Sequence, residues 1–132
     1  LLKAEWIKKG AFYSHIGGWE DEYAVVKMAD KIVCDDWKTV KHRTQTVSRC
    51  YKDGVITDAD IHGNLIDILS GEKPGRENDD EFIYFDAVGL SYVDVSIAYA
   101  MYNKAKEANI GRCSYLQEKM IFEKKKKKKI KF

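Results

Sequence analysis

Among the residues of this 132-residue chain whose types could do chemistry, the histidine to watch is in His15-Ile16-Gly17-Gly18, followed by Glu20, Asp21 and Glu22, and the chain is organised around Gly71 to Gly89, where a basic turn leads into an acidic loop. A histidine ending an apolar run beside two glycines suits a ligand-facing turn, because glycine lets backbone come close to a bound group. The same pair also suits any tight turn, so both readings stay open. A second such place is Asp86-Ala87-Val88-Gly89, where the apolar run FIYF (residues 82–85) stops at a glycine. Asp35-Asp36 close a third run, KIVC; Asp36 reads as a helix N-cap in preference to a catalytic carboxylate. Glu20, Asp21 and Glu22 read by default as first-turn residues of a helix. His15, His42 and His62 are too far apart in sequence for a local metal motif. Cys34, Cys50 and Cys113 form no CxxC, so neither a zinc site nor a disulfide framework is indicated. No Ser-His-Asp or Cys-His pattern is legible, and Cys34 reads as a buried, inert thiol.

These residues need elements to hold them. Residues 11–16 (AFYSHI), 31–34 (KIVC) and 82–85 (FIYF) read as short buried strands, each with turn residues behind it. Residues 1–10 fit a short helical turn, and a helix is expected from Glu20 to about Ala29. Residues 37–51 are polar and basic and predict a solvated helix broken near Thr44. Ile61, Leu65, Ile68 and Leu69 recur at helical spacing, which predicts one helix over residues 60–69 closed by Gly71. Residues 90–108 give the longest helix, with Leu90, Val93, Ile97, Ala98, Met101 and Ala105 on one stripe and Asn109 and Gly111 at its end. Residues 112–116 could add a short edge strand. Strands alternating with helices predict an α/β fold with a parallel sheet. With three strands and no GxGxxG, the chain reads as a partial doubly wound, Rossmann-like sheet. The first three strand runs are expected to lie adjacent and parallel, with Gly17 and Ala87 leaving the sheet on the same edge.

Composition bounds the rest. At 45% hydrophobic residues the chain suits one domain or part of one, burying roughly two thirds of its unfolded surface. The formal charge is +2, but residues 123–132 carry seven lysines and one glutamate; without them 16 basic and 20 acidic residues leave −4. The basic balance therefore belongs to the tail, which is expected to be disordered, and gives no warrant for a nucleic-acid-binding face. There is no run of about 18 apolar residues and no signal-peptide core, so no membrane partner is expected and the chain is read as cytoplasmic.

Taken in order, WIKKGAFYSHIGG, ADKIVCDD, GEKPGR, NDDEFIYFDAVGLSYVDVSIAYAMYNKA and a closing IG resemble the C-terminal part of ornithine cyclodeaminase/mu-crystallin proteins. The most diagnostic piece is G-x-K-P-G-R followed by acidic residues and F-D-x-x-G-L. The resemblance implies residues 1–89 as the C-terminal half of an NAD(P)-binding Rossmann-like domain. Residues 90–122 would then be a helix and extension returning toward a substrate and dimerisation domain. It implies NAD or NADP as cofactor, an amino acid or its cyclic imine as substrate, and a homo-oligomer for the full-length protein. It also implies that His15, Ile16, Gly17, Gly18 and Ala87 contact the dinucleotide and that Val88 lies near the substrate. Where family cyclodeaminases carry a proton-transferring Asp after the two glycines, this chain has Trp19, which leaves Asp21 as the candidate catalytic carboxylate and leaves imine reduction or amino-acid dehydrogenation open. The family's glycine-rich phosphate loop does not occur in these 132 residues. The chain is therefore expected to be a fragment of such an enzyme, inactive alone; the alternative is a non-catalytic α/β module that only binds partners.

Overall fold

The computed structural model describes residues 1–112. It divides into a sheet unit, Leu1–Ser91, and a second unit that starts at Tyr92. The sheet unit holds four parallel strands, β1 (Phe12–His15), β2 (Lys31–Cys34), β3 (Ile61–Asn64) and β4 (Ile83–Asp86), in the order β1-β4-β2-β3. Helix α1 (Tyr23–Lys27) connects β1 to β2, α2 (Trp37–Val40) and α3 (Thr46–Lys52) lie between β2 and β3, and α4 (Leu65–Leu69) precedes β4. The last strand thus returns to the middle of the sheet. The three expected strands are adjacent and parallel, with β4 between the other two.

Register and alternation sort the side chains. His15 stands opposite Asp86 and Tyr13 opposite Tyr84, while Ile32 pairs with Tyr84 and Cys34 with Asp86. These residues share one face, because alternate strand residues point the same way. That face is packed by Val25 and Val26 of α1, Val40 of α2, and Val47 and Cys50 of α3, all with no exposed surface. Each such valine contributes about 1.5–3 kcal/mol by leaving water. The opposite face, with Phe12, Val33, Ile83 and Phe85, is only partly covered by Leu65 and Ile68 of α4, which leaves an apolar hollow of about 430 Å³. Phe12 is 61% exposed because β1 is an edge strand with one face uncovered, so the expected buried strand is buried only at His15.

The structure differs from expectation in three further segments. Residues 61–64 form β3 and not the first turn of a helix: Asn64 ends the strand and starts α4, its backbone N–H bound by the Asp67 carboxylate at 2.7 Å. The helical spacing of Ile61 and Leu65 spans that break. The segment 37–51 is broken as expected, into α2 and α3, but it is not solvated. Thr46, Val47, Ser48 and Cys50 are all buried, and the Ser48 hydroxyl is satisfied by the Val40 carbonyl at 2.6 Å. Residues 20–22 are not a helical first turn: Leu2 N–H donates to the Glu20 carbonyl at 2.8 Å and Glu22 N–H to the Leu2 carbonyl at 3.1 Å, holding them extended beside the N-terminus.

The Lys73-Pro74-Gly75-Arg76 motif clasps the amino edge of the sheet. Lys31, first in β2, donates to the Gly75 carbonyl and to Glu77 at 2.6 Å each and lies 3.1 Å from Glu81. Lys73 reaches the His62 carbonyl at 2.6 Å, and Arg76 reaches the carbonyls of Glu81 and Ala11 at 2.7 and 3.3 Å. Gly63 leaves room for this, since a Cβ there would stand 2.9 Å from the Lys73 chain.

Helix α5 (Ser91–Glu107), all but its first residue in the second unit, matches the expected long helix. It ends in a Schellman motif: Ile110 N–H donates to the Ala105 carbonyl at 2.9 Å and Asn109 N–H to Lys106 at 3.2 Å, with Asn109 at φ +56°. Of the expected edge strand over 112–116, residues 113–116 lie outside the described residues, as does the whole 123–132 tail.

Candidate functional site at the carboxyl edge

All four strands end at one edge, and the turns after β1 and β4 leave it side by side. The tie is local: Ala87 N–H donates to the His15 carbonyl at 2.9 Å, extending the parallel ladder by one bond past the strands. The Gln45 side chain at the head of α3 donates to the Ala87 carbonyl at 3.0 Å. Asp35, after β2, accepts the Gly89 N–H at 2.9 Å, and its own N–H donates to the Asp86 carbonyl at 3.0 Å. Gly89, at φ +81°, lets the chain turn away at that point. A small polar hollow of about 200 Å³ remains between Ile16, Gly17, Arg43, Thr44, Gln45 and Val88.

The sequence-derived candidates fall into two groups. Ile16, Gly17, Gly18, Ala87 and Val88 are on the two turns, with Ile16 71% exposed and open space where a Cβ on Gly18 would project. His15 and Asp21 are instead wholly buried beneath them. His15 Nδ1 lies 2.6 Å from Asp86 Oδ1, and its Nε2 is 3.4 Å from Asp21 Oδ1. Asp21 accepts hydrogen bonds from the Thr46 hydroxyl at 2.7 Å and the Tyr84 hydroxyl at 3.0 Å. Its carboxylate therefore belongs to an internal network, and its oxygens do not reach the surface. Trp19, half-exposed, lies under the Arg49 guanidinium at 4.8 Å.

Burial works against a charged imidazole, but the hydrogen bond and charge of Asp86, with Asp21 and Glu20 behind, leave His15 above its ordinary pKa. Burial also lifts Asp21 and Asp86 above the usual carboxylate range, opposed by Thr46 and Tyr84 at the first and by His15 at both. Tyr13, beside the trio, is pushed up to about 12, by burial first and Asp21 second. The Cys34 thiol is raised by burial and by Asp86, which agrees with its reading as inert. Among the described residues no group of His, Cys, Asp and Glu could hold a metal ion, and no helix is long and apolar enough to cross a membrane.

Gln45, Thr46 and Tyr84 give no sign of a site in the sequence. Gln45 bonds to a residue 42 positions away and Tyr84 to one 63 away, and neither side chain type at its position carries a local signal.

The chain is similar to known proteins over most of its length. The chain is 34% identical over 116 residues to alanine dehydrogenase of Archaeoglobus fulgidus, covering 84% of this chain and 35% of that protein. It is 34% identical over 110 residues to N-((2S)-2-amino-2-carboxyethyl)-L-glutamate dehydrogenase of Staphylococcus aureus, covering 83% and 33%. Among solved structures, Δ(1)-pyrroline-2-carboxylate reductase of Thermococcus litoralis, in complex with NADH and L-proline, superposes with a TM-score of 0.77 at 31% identity, over 86% of this chain and 36% of that one. An archaeal alanine dehydrogenase dimer with bound NAD gives 0.73 at 34%, over 86% and 37%. The chain thus spans about a third of the length of the relatives it matches. With the family model matching residues 1–109 and these likenesses running through the whole sheet, the chain belongs to the ornithine cyclodeaminase/mu-crystallin family.

Proposed function

We propose that the chain supplies the carboxyl half of a dinucleotide-binding domain in an NAD- or NADP-dependent oxidoreductase acting on an amino acid or its imine. The observation that carries this reading is the pairing of the two turns at one sheet edge, where Ala87 N–H meets the His15 carbonyl. Open parallel sheets bind ligands outside the carboxyl ends of their strands. A bound nicotinamide would supply hydride chemistry toward the α-carbon of the substrate.

The chain's own residues have separable tasks in this reading. Gly18 offers open backbone to the dinucleotide, with Ile16 and Gly17 beside it. Both polar backbone groups of Ala87 are already spent, on His15 and Gln45, so Ala87 presents its methyl group as a wall and Val88 continues that wall toward the substrate. Asp21 acts from the interior through His15, and the proton of the reaction has to be handled by groups that touch the substrate. The long helix α5, with Tyr92, Val95, Ile97, Tyr99 and Met101 exposed, is the segment through which the full protein would join a substrate domain or a second subunit.

Fluorescence titration of the 132-residue chain with NADH and NADPH tests the reading. The expected result is weak, saturable binding displaced by the oxidised cofactor and lost in Gly18→Asp and Ala87→Asp, which set a carboxylate against the phosphates or the ring. Affinity is weak because no glycine-rich phosphate loop is present in these residues, each charge-assisted hydrogen bond being worth about 1.5–3 kcal/mol and every 1.4 kcal/mol about tenfold. Binding unaffected by both substitutions would remove the carboxyl edge as the site.

A further inference from the structure

Three side-chain atoms among the described residues are buried without a hydrogen-bond partner: His15 Nε2, Asp86 Oδ2 and Gln45 Oε1. They do not scatter through the core. Gln45 holds the Ala87 carbonyl, Asp86 immediately precedes Ala87, and His15 holds Asp86 from the neighbouring strand. Native interiors pair nearly all such atoms, and these three lie along one line of contacts beneath the two turns. We propose that His15 is a positioning residue: a buried imidazolium clamped between Asp86 and Asp21 that fixes the spacing of the turns at residues 16–18 and 87–89, so that loss of its proton loosens the cofactor-facing edge.

The geometry gives the direction. Asp86 Oδ1 at 2.6 Å takes one ring N–H. The other nitrogen faces Asp21 Oδ1 at 3.4 Å, within charge–charge reach but longer than a formed hydrogen bond. A second proton on the ring turns both contacts attractive and ties the end of β1 to β4 on one side and to the segment before α1 on the other. Removing it leaves two buried carboxylates facing an uncharged ring, a costly state that relaxes by separating them. The groups facing His15 are Asp86 and Tyr84 from β4, Asp21 and Glu20 from the segment before α1, and Tyr13 on its own strand. Thr46 of α3 contributes only a hydroxyl, bound to Asp21; Asp35 acts on Asp86 from behind β2. No cationic side chain is among them, so His15 supplies the only positive charge the trio has within that set. The side chain acts through Asp86 and the backbone; it has no exposed surface with which to touch a cofactor.

The inference rests on the reading that these turns face the dinucleotide, but its test adds no cofactor, so the two can fail separately. The full chain is followed by NMR across roughly pH 5–9, recording the His15 ring and the hydrogen-exchange protection factor of the Ala87 N–H, which donates to the His15 carbonyl. The expected result is a loss of protection of about tenfold or more, with the same midpoint as the imidazole. In His15→Asn, whose amide can still donate to Asp86 but cannot titrate, that step disappears. A protection factor that is flat through the imidazole titration overturns the proposal, as does a step that survives in His15→Asn. Should His15→Asn fail to fold, the shared or separate midpoints in the unsubstituted chain decide alone.

Discussion

At the scale of single residues, the Asp86–His15–Asp21 trio carries an unusual sign. A buried carboxylate in an ion pair ordinarily has a depressed pKa, and stability is then lost as pH falls. In this chain all three groups are raised. The folded state therefore binds more protons than the unfolded one, and stability falls as pH rises through each folded value. For His15 the contribution is complete below the ordinary imidazole range and lost as pH climbs through its raised value. Urea melts at a series of pH values should show the midpoint decreasing from near pH 6 upward, and the decrease should vanish in His15→Asn. Little of this was legible beforehand. His15 stood out because it ends a strand beside two glycines, yet its partner is 71 positions away and lies opposite it only through a register that spacing does not reveal. Asp21 was singled out from Glu20 and Glu22 only through the family resemblance, since by residue type the three read alike as first-turn acids; its burial depends on the pairing with Leu2 and on Thr46 and Tyr84.

At the scale of elements, three of the four strands and the long helix could be read from apolar runs, and the errors occurred where side-chain hydrogen bonds decide the structure. β3 was missed because Asn64…Asp67, a helix-start signal, sits inside a window whose apolar spacing already looked helical. α3 looked solvated because its serine and threonine are bonded internally, to Val40 and Asp21. Of the two halves of the motif that carries the family likeness, Lys73-Pro74-Gly75-Arg76 is an amino-edge clasp, whereas Phe85-Asp86 and Gly89-Leu90 run along the carboxyl edge where the proposed chemistry lies. One sequence signal thus covers both scaffold and site. The approach to β1 offers a test at this scale. Gly10 has φ +74°, and a Cβ there would meet the Asp79 carbonyl oxygen at 2.1 Å, whereas Gly18 has open space. Gly10→Ala should cost about 2 kcal/mol or more in denaturant unfolding, through left-handed strain and a backbone clash. Gly18→Ala should change stability by less than about 0.5 kcal/mol.

At the scale of the whole molecule, the sheet of the Leu1–Ser91 unit is packed unequally on its two faces. One face is packed by α1, α2 and α3; the other keeps an apolar hollow, and the carboxyl edge carries two joined turns. The matched segment is about a third of each relative's length, which agrees with the proposal that these residues set one wall of a site. The most direct measurement is a backbone amide shift map of the 132-residue chain during titration with NADH. The account predicts progressive shifts concentrated at residues 16–18 and 87–89, with smaller changes at Gln45, which holds the Ala87 carbonyl, and at its neighbour Thr46. Shifts centred on Phe12, Val33 and Phe85, in the apolar hollow on the opposite face, would place the ligand elsewhere and contradict it.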